Sequence, residues 1–143
     1  MAGVPVADAR SLTLPERAMR LLCADDEPDI RAILRLALSL DPEMEVEIVD
    51  SGHAAITRAA AGGFDAILLD GMMPGLDGYE TCRILKADPA TAHVPVVFLT
   101  AKTQRDEARR AISVGAVACL TKPFDPMHIG RELRAALGAA RPA

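Results

Sequence analysis

Five short apolar segments alternate with five longer segments of helical periodicity, and this alternation limits the folds that the chain can adopt. Each apolar segment is rich in Val, Ile, Leu and Ala and is followed directly by a polar residue. Such runs are typical of the buried strands of a parallel sheet, except that the second, residues 46–49, alternates as in a half-exposed edge strand. Helices between parallel strands cover both faces of the sheet, and right-handed crossovers leave few arrangements. The sequence therefore predicts an α/β fold, a doubly wound (βα)5 five-stranded parallel sheet.

Turn residues set the expected limits of these segments. Pro28 suits the first turn of a helix, where its missing N–H is not needed, and Asp41-Pro42 ends that helix. Gly62-Gly63 and Gly115 are expected to end the second and fourth helices. The predicted strands are residues 21–24, 46–49, 66–69, 94–99 and 116–120. The predicted helices are residues 28–40, 51–61, 76–86, 104–114 and 126–136.

The length of the chain predicts one domain. With 143 residues it can form one core and is too short for two domains of ordinary size. Residues 1–18 mix small, polar and charged side chains with two prolines, so we expect a flexible extension there. The folded domain is predicted to span residues 19–138, with a C-terminal tail at 139–143.

Composition excludes several classes of function. A net charge of −4 argues against direct binding of nucleic acid. Cys23, Cys82 and Cys119 form no CxxC pair, so neither a disulfide framework nor a zinc site is expected. No apolar run reaches the ~18 residues that span a bilayer, and no signal peptide is recognisable. The expected location is the cytoplasm, without membrane contact.

Polar side chains lie at the ends of four predicted strands. Asp25 and Asp26 follow the first strand, Asp70 the third, Thr100 the fourth and Lys122 the fifth. Each has an ordinary explanation alone: carboxylates favour a helix N-terminus, a threonine closes a turn, and a lysine lies on the surface. In open α/β sheets, however, the ligand crevice lies beyond the carboxyl ends of the strands. Five polar groups at one such edge indicate a functional site.

The chemistry of this set follows from its charges. Three carboxylates close together repel until a cation or a proton joins them. Carboxylate oxygens suit Mg²⁺, with Mn²⁺ as an alternative, and a lysine supplies a second positive charge. A metal, an ammonium group and a hydroxyl around one carboxylate can stabilise a phosphoryl group in transfer. Asp70 is then the expected nucleophile, forming an acyl phosphate.

Four motifs in order carry a resemblance to a known family. They are Asp25-Asp26, residues 69–78 (LDGMMPGLDG), Leu99-Thr100-Ala101 and Thr121-Lys122-Pro123-Phe124. Together they resemble the receiver domain of two-component response regulators over about residues 19–138. The resemblance implies the CheY-like strand order 2-1-3-4-5 and a cis peptide between Lys122 and Pro123.

The resemblance also implies a role for each site residue. Asp70 accepts a phosphoryl group from a phosphohistidine on a sensor histidine kinase or a histidine phosphotransfer protein. Asp26, Asp70 and the backbone carbonyl of Met72 bind Mg²⁺, and Asp25 acts through water. By the same resemblance, Lys122 forms an ion pair with the phosphoryl oxygens. Thr100 moves toward the phosphoryl group and donates a hydrogen bond to it.

One position departs from the family pattern. Members usually carry an aromatic residue three places before the lysine, where this chain has Cys119. The thiol is too small to fill the same space, so we expect activation to act through Thr100 and the loop after the fourth strand. Met72 and Lys102 occupy places that control water access in the family, and neither is a good general base at neutral pH. A long-lived acyl phosphate is therefore expected.

Three functions remain open on the sequence. The first is a phosphoacceptor switch that controls a downstream protein, with slow self-dephosphorylation and no metabolic activity. The second is a metal-dependent phosphatase with Asp70 as nucleophile. Such enzymes use an aspartate two residues after the nucleophile as acid and base, and this chain has Met72 at that position. The third is a degenerate receiver that only binds a protein partner. A free-standing domain and a piece of a longer regulator both fit, as do a monomer and a weak dimer.

Overall fold

The computed structural model describes residues 18–101 and 105–140. They form one five-stranded parallel sheet in the order β2-β1-β3-β4-β5, with five helices. The predicted fold class and strand order are therefore confirmed. The strands are β1 (Met19–Ala24), β2 (Met44–Val49), β3 (Ala66–Asp70), β4 (Val96–Thr100) and β5 (Ala118–Thr121). The helices are α1 (Pro28–Leu38), α2 (Gly52–Ala60), α3 (Gly78–Ala87), α4 (Arg105–Ser113) and α5 (Ile129–Ala140).

The strands at the centre of the sheet are buried along their whole length because both of their faces are covered, and each is apolar up to its last residue. All five residues of β3 and of β4 are buried. Since successive side chains of a strand point to opposite faces, each strand supplies two cores. One core contains Leu22, Ile67 and Phe98 with side chains of α2, α3 and α4. The other core contains Leu21 and Leu68 with side chains of α1 and α5.

Three of the glycines expected to end helices have the backbone geometry that this role requires. Gly62, Gly63 and Gly115 all have positive φ, at 86°, 91° and 104°. A side chain is unfavourable in that left-handed region, and glycine bears no such cost. The peptide between Lys122 and Pro123 is cis, as the resemblance implied.

The third and fifth helices begin two and three residues later than the sequence predicts, and in each case the side chain of an aspartate before the helix binds the backbone. The third helix was expected from residue 76. Instead, the side chain of Asp77 accepts a hydrogen bond from the backbone N–H of Glu80, and the side chain of Glu80 accepts one from the backbone N–H of Asp77. This capping box starts the helix at Gly78. The fifth helix was expected from residue 126, but Asp125 accepts the N–H of Met127 in a preceding turn.

Several predictions fall outside the described residues. They concern most of the extension 1–18, the end of the tail, the start of the fourth helix at Gln104, and Lys102. Among the residues that are described, no helix is long and apolar enough to cross a membrane.

Candidate functional site

Three carboxylates meet at the carboxyl edge of the sheet. Asp25 and Asp26 directly follow β1, and Asp70 is the last residue of the neighbouring strand β3. One carboxylate oxygen from each lies within 4.8 Å of the other two. Asp25 is 1 % exposed and Asp70 is 4 % exposed, whereas Asp26 is half-buried. The parallel pairing of β1 with β3 brings together residues that are 44 or more positions apart in the sequence.

Lys122 supplies the positive charge of this site. Its Nζ lies 2.9 Å from Oδ2 of Asp25 and 3.4 Å from Oδ2 of Asp70. Lys122 directly follows β5, two strands from β3, so its long side chain spans the distance to the acidic cluster. Burial lowers the pKa of Lys122, but the carboxylates of Asp25 and Asp70 outweigh burial and the pKa is raised above its ordinary value. The lysine is therefore charged at neutral pH.

The carboxyl group of Asp70 resists ionisation. Burial and the negative charge of Asp25 raise its pKa from 3.8 to about 6. The backbone N–H of Met72 and the ammonium group of Lys122 act in the opposite direction. Asp70 is therefore an anion at neutral pH that lacks full compensation, which favours binding of a further cation.

The carboxylate of Asp25 indicates where such a cation fits. Oδ1 accepts the backbone N–H of Glu27 at 2.9 Å. Oδ2 is buried and lies 2.9 Å from Nζ of Lys122, so the ammonium group compensates this oxygen. One oxygen from each of the three carboxylates lies within 4.8 Å of the other two, and hard oxygen donors are the ligands that Mg²⁺ prefers. The donor set of Asp25, Asp26 and Asp70 therefore fits a magnesium ion.

Thr100 and Cys119 face each other beside this cluster. Thr100 ends β4 and is 3 % exposed. Its Oγ1 lies 3.6 Å from Sγ of Cys119, within hydrogen-bond distance for sulfur. Cys119 is partly buried and packs against the core that contains α2, α3 and α4. Thr100, through which activation is expected to act, is thus in contact with Cys119, the residue at the position where the family usually has an aromatic side chain.

The turn after Asp70 holds the backbone close to the carboxylate. The N–H of Met72 donates to Oδ1 of Asp70 at 3.1 Å, and the Met72 side chain is 69 % exposed. The N–H of Gly78 donates to the carbonyl of Gly71 at 3.1 Å and closes the turn. A Cβ on Gly78 would lie 2.2 Å from the carbonyl oxygen of Asp70, so only glycine fits there without displacement.

Sequence reasoning missed two residues at this edge. Oε1 of Glu27 lies 3.7 Å from Nζ of Lys122, and Nη1 of Arg31 donates to the backbone carbonyl of Asp25 at 3.0 Å. The position of Glu27 next to Asp25-Asp26 was a usable signal. Arg31 lies one helical turn further along α1, and nothing local in the sequence distinguishes it from a surface arginine.

The fold and the acidic cluster define the class to which the protein belongs, the receiver domains that act as phosphoacceptor switches in two-component signalling. The sequence model of the response regulator receiver domain matches residues 21–134, and the chain belongs to this family. The predicted resemblance is therefore confirmed.

Curated relatives agree with this assignment. The chain is 37 % identical over 124 residues to the phosphate regulon transcriptional regulatory protein PhoB of Pseudomonas aeruginosa, covering 85 % of this chain and 53 % of PhoB. It is 40 % identical over 116 residues to the response regulator PleD of Caulobacter vibrioides, covering 80 % of this chain and 25 % of PleD. The chain thus spans about half of PhoB and a quarter of PleD.

Solved structures share the fold. The chemotaxis protein CheY4 of Vibrio cholerae superposes with a TM-score of 0.77 at 28 % identity, over 83 % of this chain and 98 % of CheY4. The receiver domain of the sensor histidine kinase PA1611 of Pseudomonas aeruginosa superposes with a TM-score of 0.75 at 28 % identity, over 85 % and 98 % of the two chains. That domain was solved with a magnesium ion coordinated in its active-site cleft.

Proposed function

We propose that this protein is a phosphoacceptor switch in which Asp70 takes a phosphoryl group from a phosphohistidine. The observation that carries the proposal is the position of the Asp70 carboxylate. It lies 3.4 Å from a charged lysine and within 4.8 Å of two further carboxylates. This arrangement combines a nucleophile with the cation-binding groups that phosphoryl transfer requires.

The transfer step follows from the groups present. A carboxylate oxygen of Asp70 attacks phosphorus, an O–P bond forms, and the P–N bond to the donor imidazole breaks with its electron pair passing to the nitrogen. Lys122 is positioned to neutralise charge on the phosphoryl oxygens, since its Nζ already contacts Asp70. Thr100, at the end of the adjacent strand, supplies a hydroxyl that hydrogen-bonds the bound group.

Asp25, Asp26, Asp70 and the backbone carbonyl of Met72 are proposed to hold Mg²⁺, with Asp25 acting through water and Mn²⁺ as a substitute. When bound, the metal supplies positive charge that offsets the negative charge of the phosphoryl oxygens. The convergence of the three carboxylates within 4.8 Å and the raised pKa of Asp70 support this proposal.

A sensor histidine kinase or a histidine phosphotransfer protein is the proposed donor. The recipient of the signal is a downstream protein, and the domain that folds around the site is proposed to span residues 19–138. Function in the cytoplasm, without direct contact to nucleic acid or membrane, fits a signalling domain of net charge −4. We propose that the protein turns over no metabolite and hydrolyses only its own acyl phosphate.

A phosphatase is the second candidate that the acidic cluster allows. Phosphatases with an aspartyl nucleophile use a second acid two residues later, and that position is Met72. Met72 cannot transfer a proton, and its side chain is exposed to solvent. The switch is therefore the better proposal.

Phosphorylation by acetyl phosphate separates the candidate functions. Wild-type protein with Mg²⁺ should gain one phosphoryl group by intact mass, and Asp70→Asn should gain none while keeping its circular dichroism spectrum. Asp26→Asn should slow incorporation and weaken Mg²⁺ binding. Glu132→Gln, an exposed change in α5, is the matched control.

Two outcomes would contradict the proposal: normal incorporation in excess chelator, and phosphate on a residue other than Asp70. Rapid hydrolysis of acetyl phosphate over many turnovers would favour the phosphatase.

A further inference from the structure

Tyr79 connects the edge of the site to the fourth helix. It lies in the first turn of α3, its side chain is fully buried, and its hydroxyl donates to Oε1 of Glu107 in α4 at 2.5 Å. Its ring stacks on Phe98 of β4, with the centroids 4.7 Å apart and the planes 25° from parallel. A hydrogen bond from a buried hydroxyl to a carboxylate is one of the stronger kinds in proteins.

Arg110 adds a second contact between the same two helices. The carbon of its guanidinium group lies 3.9 Å from the centroid of the Tyr79 ring, in cation–π geometry. Its Nη2 lies 3.8 Å from Oδ2 of Asp77, the N-cap of α3. Successive turns of α4 thus hold Tyr79, through Glu107 at the hydroxyl and Arg110 at the ring face.

Tyr79 also lies against the backbone next to Asp70, beside Thr100. A Cβ built on Gly71 would lie 3.1 Å from the Tyr79 hydroxyl oxygen and 3.2 Å from Cγ2 of Thr100. Gly71 directly follows Asp70, so the tyrosine and the threonine both pack against the backbone beside the proposed acceptor. Any movement of Thr100 toward a phosphoryl group changes this packing.

Tyr79 and Cys119 pack into the same core on either side of Phe98. Cys119 pairs with Phe98 in the register of β4 and β5, and both pack into the same core. Tyr79 stacks on Phe98 from the α3 side. The chain therefore has an aromatic side chain beside Thr100, but α3 supplies it in place of β5.

We propose that Tyr79 is a positioning residue that couples the phosphorylation state of Asp70 to the docking of α4. The proposal rests on the proposed phosphoacceptor function and names the route by which the signal leaves the site. In the unphosphorylated state, the bond between Tyr79 and Glu107 holds α4 against α3. When Thr100 moves toward the phosphoryl oxygens, the packing at Gly71 changes, the hydroxyl leaves Glu107, and the start of α4 is released.

The energetic basis is a difference between two states. A phosphoryl group shifts the equilibrium only if it binds the two states with different affinity. Breaking the bond from Tyr79 to Glu107 opposes activation, so removing the bond should favour the active state. By linkage, the same change should raise the affinity for a phosphoryl mimic.

The protein contains its own reporter for this event. Tyr79 is the single tyrosine, and the chain has no tryptophan. A phenol bonded to a carboxylate loses its excited-state proton to that acceptor and emits weakly. Beryllofluoride with Mg²⁺ should therefore increase tyrosine emission in the wild type, and Asp70→Asn, which lacks the acceptor, should show no increase.

Two variants of the bond test the coupling itself. Tyr79→Phe keeps the ring and removes the hydrogen-bond donor, and it should bind beryllofluoride about fivefold or more tightly than the wild type. Glu107→Gln keeps an acceptor without the charge and should show a smaller increase. Glu132→Gln, an exposed change of the same kind on α5, should bind as the wild type. In amide exchange, residues 106–110 of Tyr79→Phe should already exchange rapidly, and beryllofluoride should change them little.

The possible failures are distinguishable. If the wild type binds no beryllofluoride and takes no phosphoryl group, the proposed function is wrong. If the wild type responds but Tyr79→Phe has unchanged or weaker affinity and unchanged exchange in α4, the coupling is wrong and the phosphoacceptor function stands. The melting temperature of Tyr79→Phe is measured in parallel. A purely structural role of Tyr79 would lower the melting temperature without changing the affinity for beryllofluoride.

Discussion

Asp70 is a carboxylate in a place where ionisation is unfavourable. Its pKa is raised from 3.8 to about 6, first by burial and then by the charge of Asp25. Between these two pH values the folded protein retains a proton that the unfolded chain has lost. Because the folded state binds more protons there, the free energy of unfolding falls as the pH rises through this window. The ionised carboxylate of Asp70 thus lowers the free energy of unfolding at neutral pH when no cation is bound.

Asp70→Asn should therefore stabilise the metal-free protein. In the presence of chelator at pH 7.5, we expect a free energy of unfolding larger by about 1–2 kcal/mol, after allowance for the solvent that reaches the site. At pH 3.5, where the wild-type carboxyl is also neutral, the difference should vanish. Urea unfolding at both pH values measures this, and an equal loss of stability at both would contradict the assigned electrostatics.

Met72 should lengthen the lifetime of the acyl phosphate. Its side chain is largely exposed beside the acceptor, and it offers no group that could orient or deprotonate an attacking water. We expect Met72→Asn to shorten the half-life severalfold, because an amide can orient water, and Met127→Asn, at an equally exposed methionine before α5, to leave it unchanged. Decay of phosphoprotein after removal of the donor gives both half-lives, and a wild-type half-life of seconds would refute the expectation.

At the scale of elements, the start of α3 is what shapes the turn after the acceptor. The capping box of Asp77 and Glu80 fixes where the helix begins, and Gly78 at its first position passes directly over the backbone of Asp70 and Gly71. The contact is between main chains, so a side chain at this position must push them apart. The same turn carries Tyr79 against the site.

Gly78→Ala should be strongly destabilising although alanine is the better helix former. Its Cβ would meet the carbonyl oxygen of Asp70 at 2.2 Å and Cα of Gly71 at 2.9 Å, and overpacking against backbone costs roughly 1–3 kcal/mol. Gly138→Ala in α5 is the matched control, because nothing lies within 4 Å of its Cβ, and it should add about 0.5–1 kcal/mol. Thermal unfolding of the two variants should move in opposite directions.

At the scale of the molecule, an ion pair joins segments that are far apart in the sequence. Nε of Arg134 in α5 lies 2.6 Å from Oδ2 of Asp41, which follows α1, and Nη2 donates to the carbonyl of Glu43 at 3.1 Å. The hydrogen bond from Arg134 lowers the pKa of Asp41. Because the pKa of Asp41 is lower in the folded state than in the unfolded state, the ion pair stabilises the fold at pH values above the unfolded-state pKa. This stability is lost as the pH falls through the folded-state pKa.

Arg134→Ala should therefore destabilise the protein in a pH-dependent manner. At pH 7 we expect a loss of about 0.5–1 kcal/mol, since the pair is partly exposed, and the difference from wild type should shrink as the pH falls through the lowered pKa of Asp41. Arg131→Ala removes a guanidinium from the same helix without touching Asp41 and serves as the control. A loss that is the same at pH 7 and pH 2.5 would show that packing of the arginine stem, rather than the ion pair, is responsible.

The sequence alone determined the elements and the set of residues at the strand ends. Apolar runs, helical periodicity and the glycine positions Gly62-Gly63 and Gly115 are local signals, and the structure has the expected elements within a few residues. The starts of α3 at Gly78 and of α5 at Ile129 were missed because an aspartate can bind the backbone at several positions around a turn. The placing of five polar groups at one edge also followed from sequence, since parallel strands leave their carboxyl ends side by side.

Only the tertiary structure decided how these groups are paired. The ammonium group of Lys122 lies closer to Asp25 than to Asp70, which depends on how β5 packs beside β4. The bond from Tyr79 to Glu107 joins residues 28 positions apart on two helices, and neither residue has a local pattern that predicts its partner. Periodicity specifies which face of an element is buried, whereas the partner of a polar atom depends on the relative positions of elements distant in the chain.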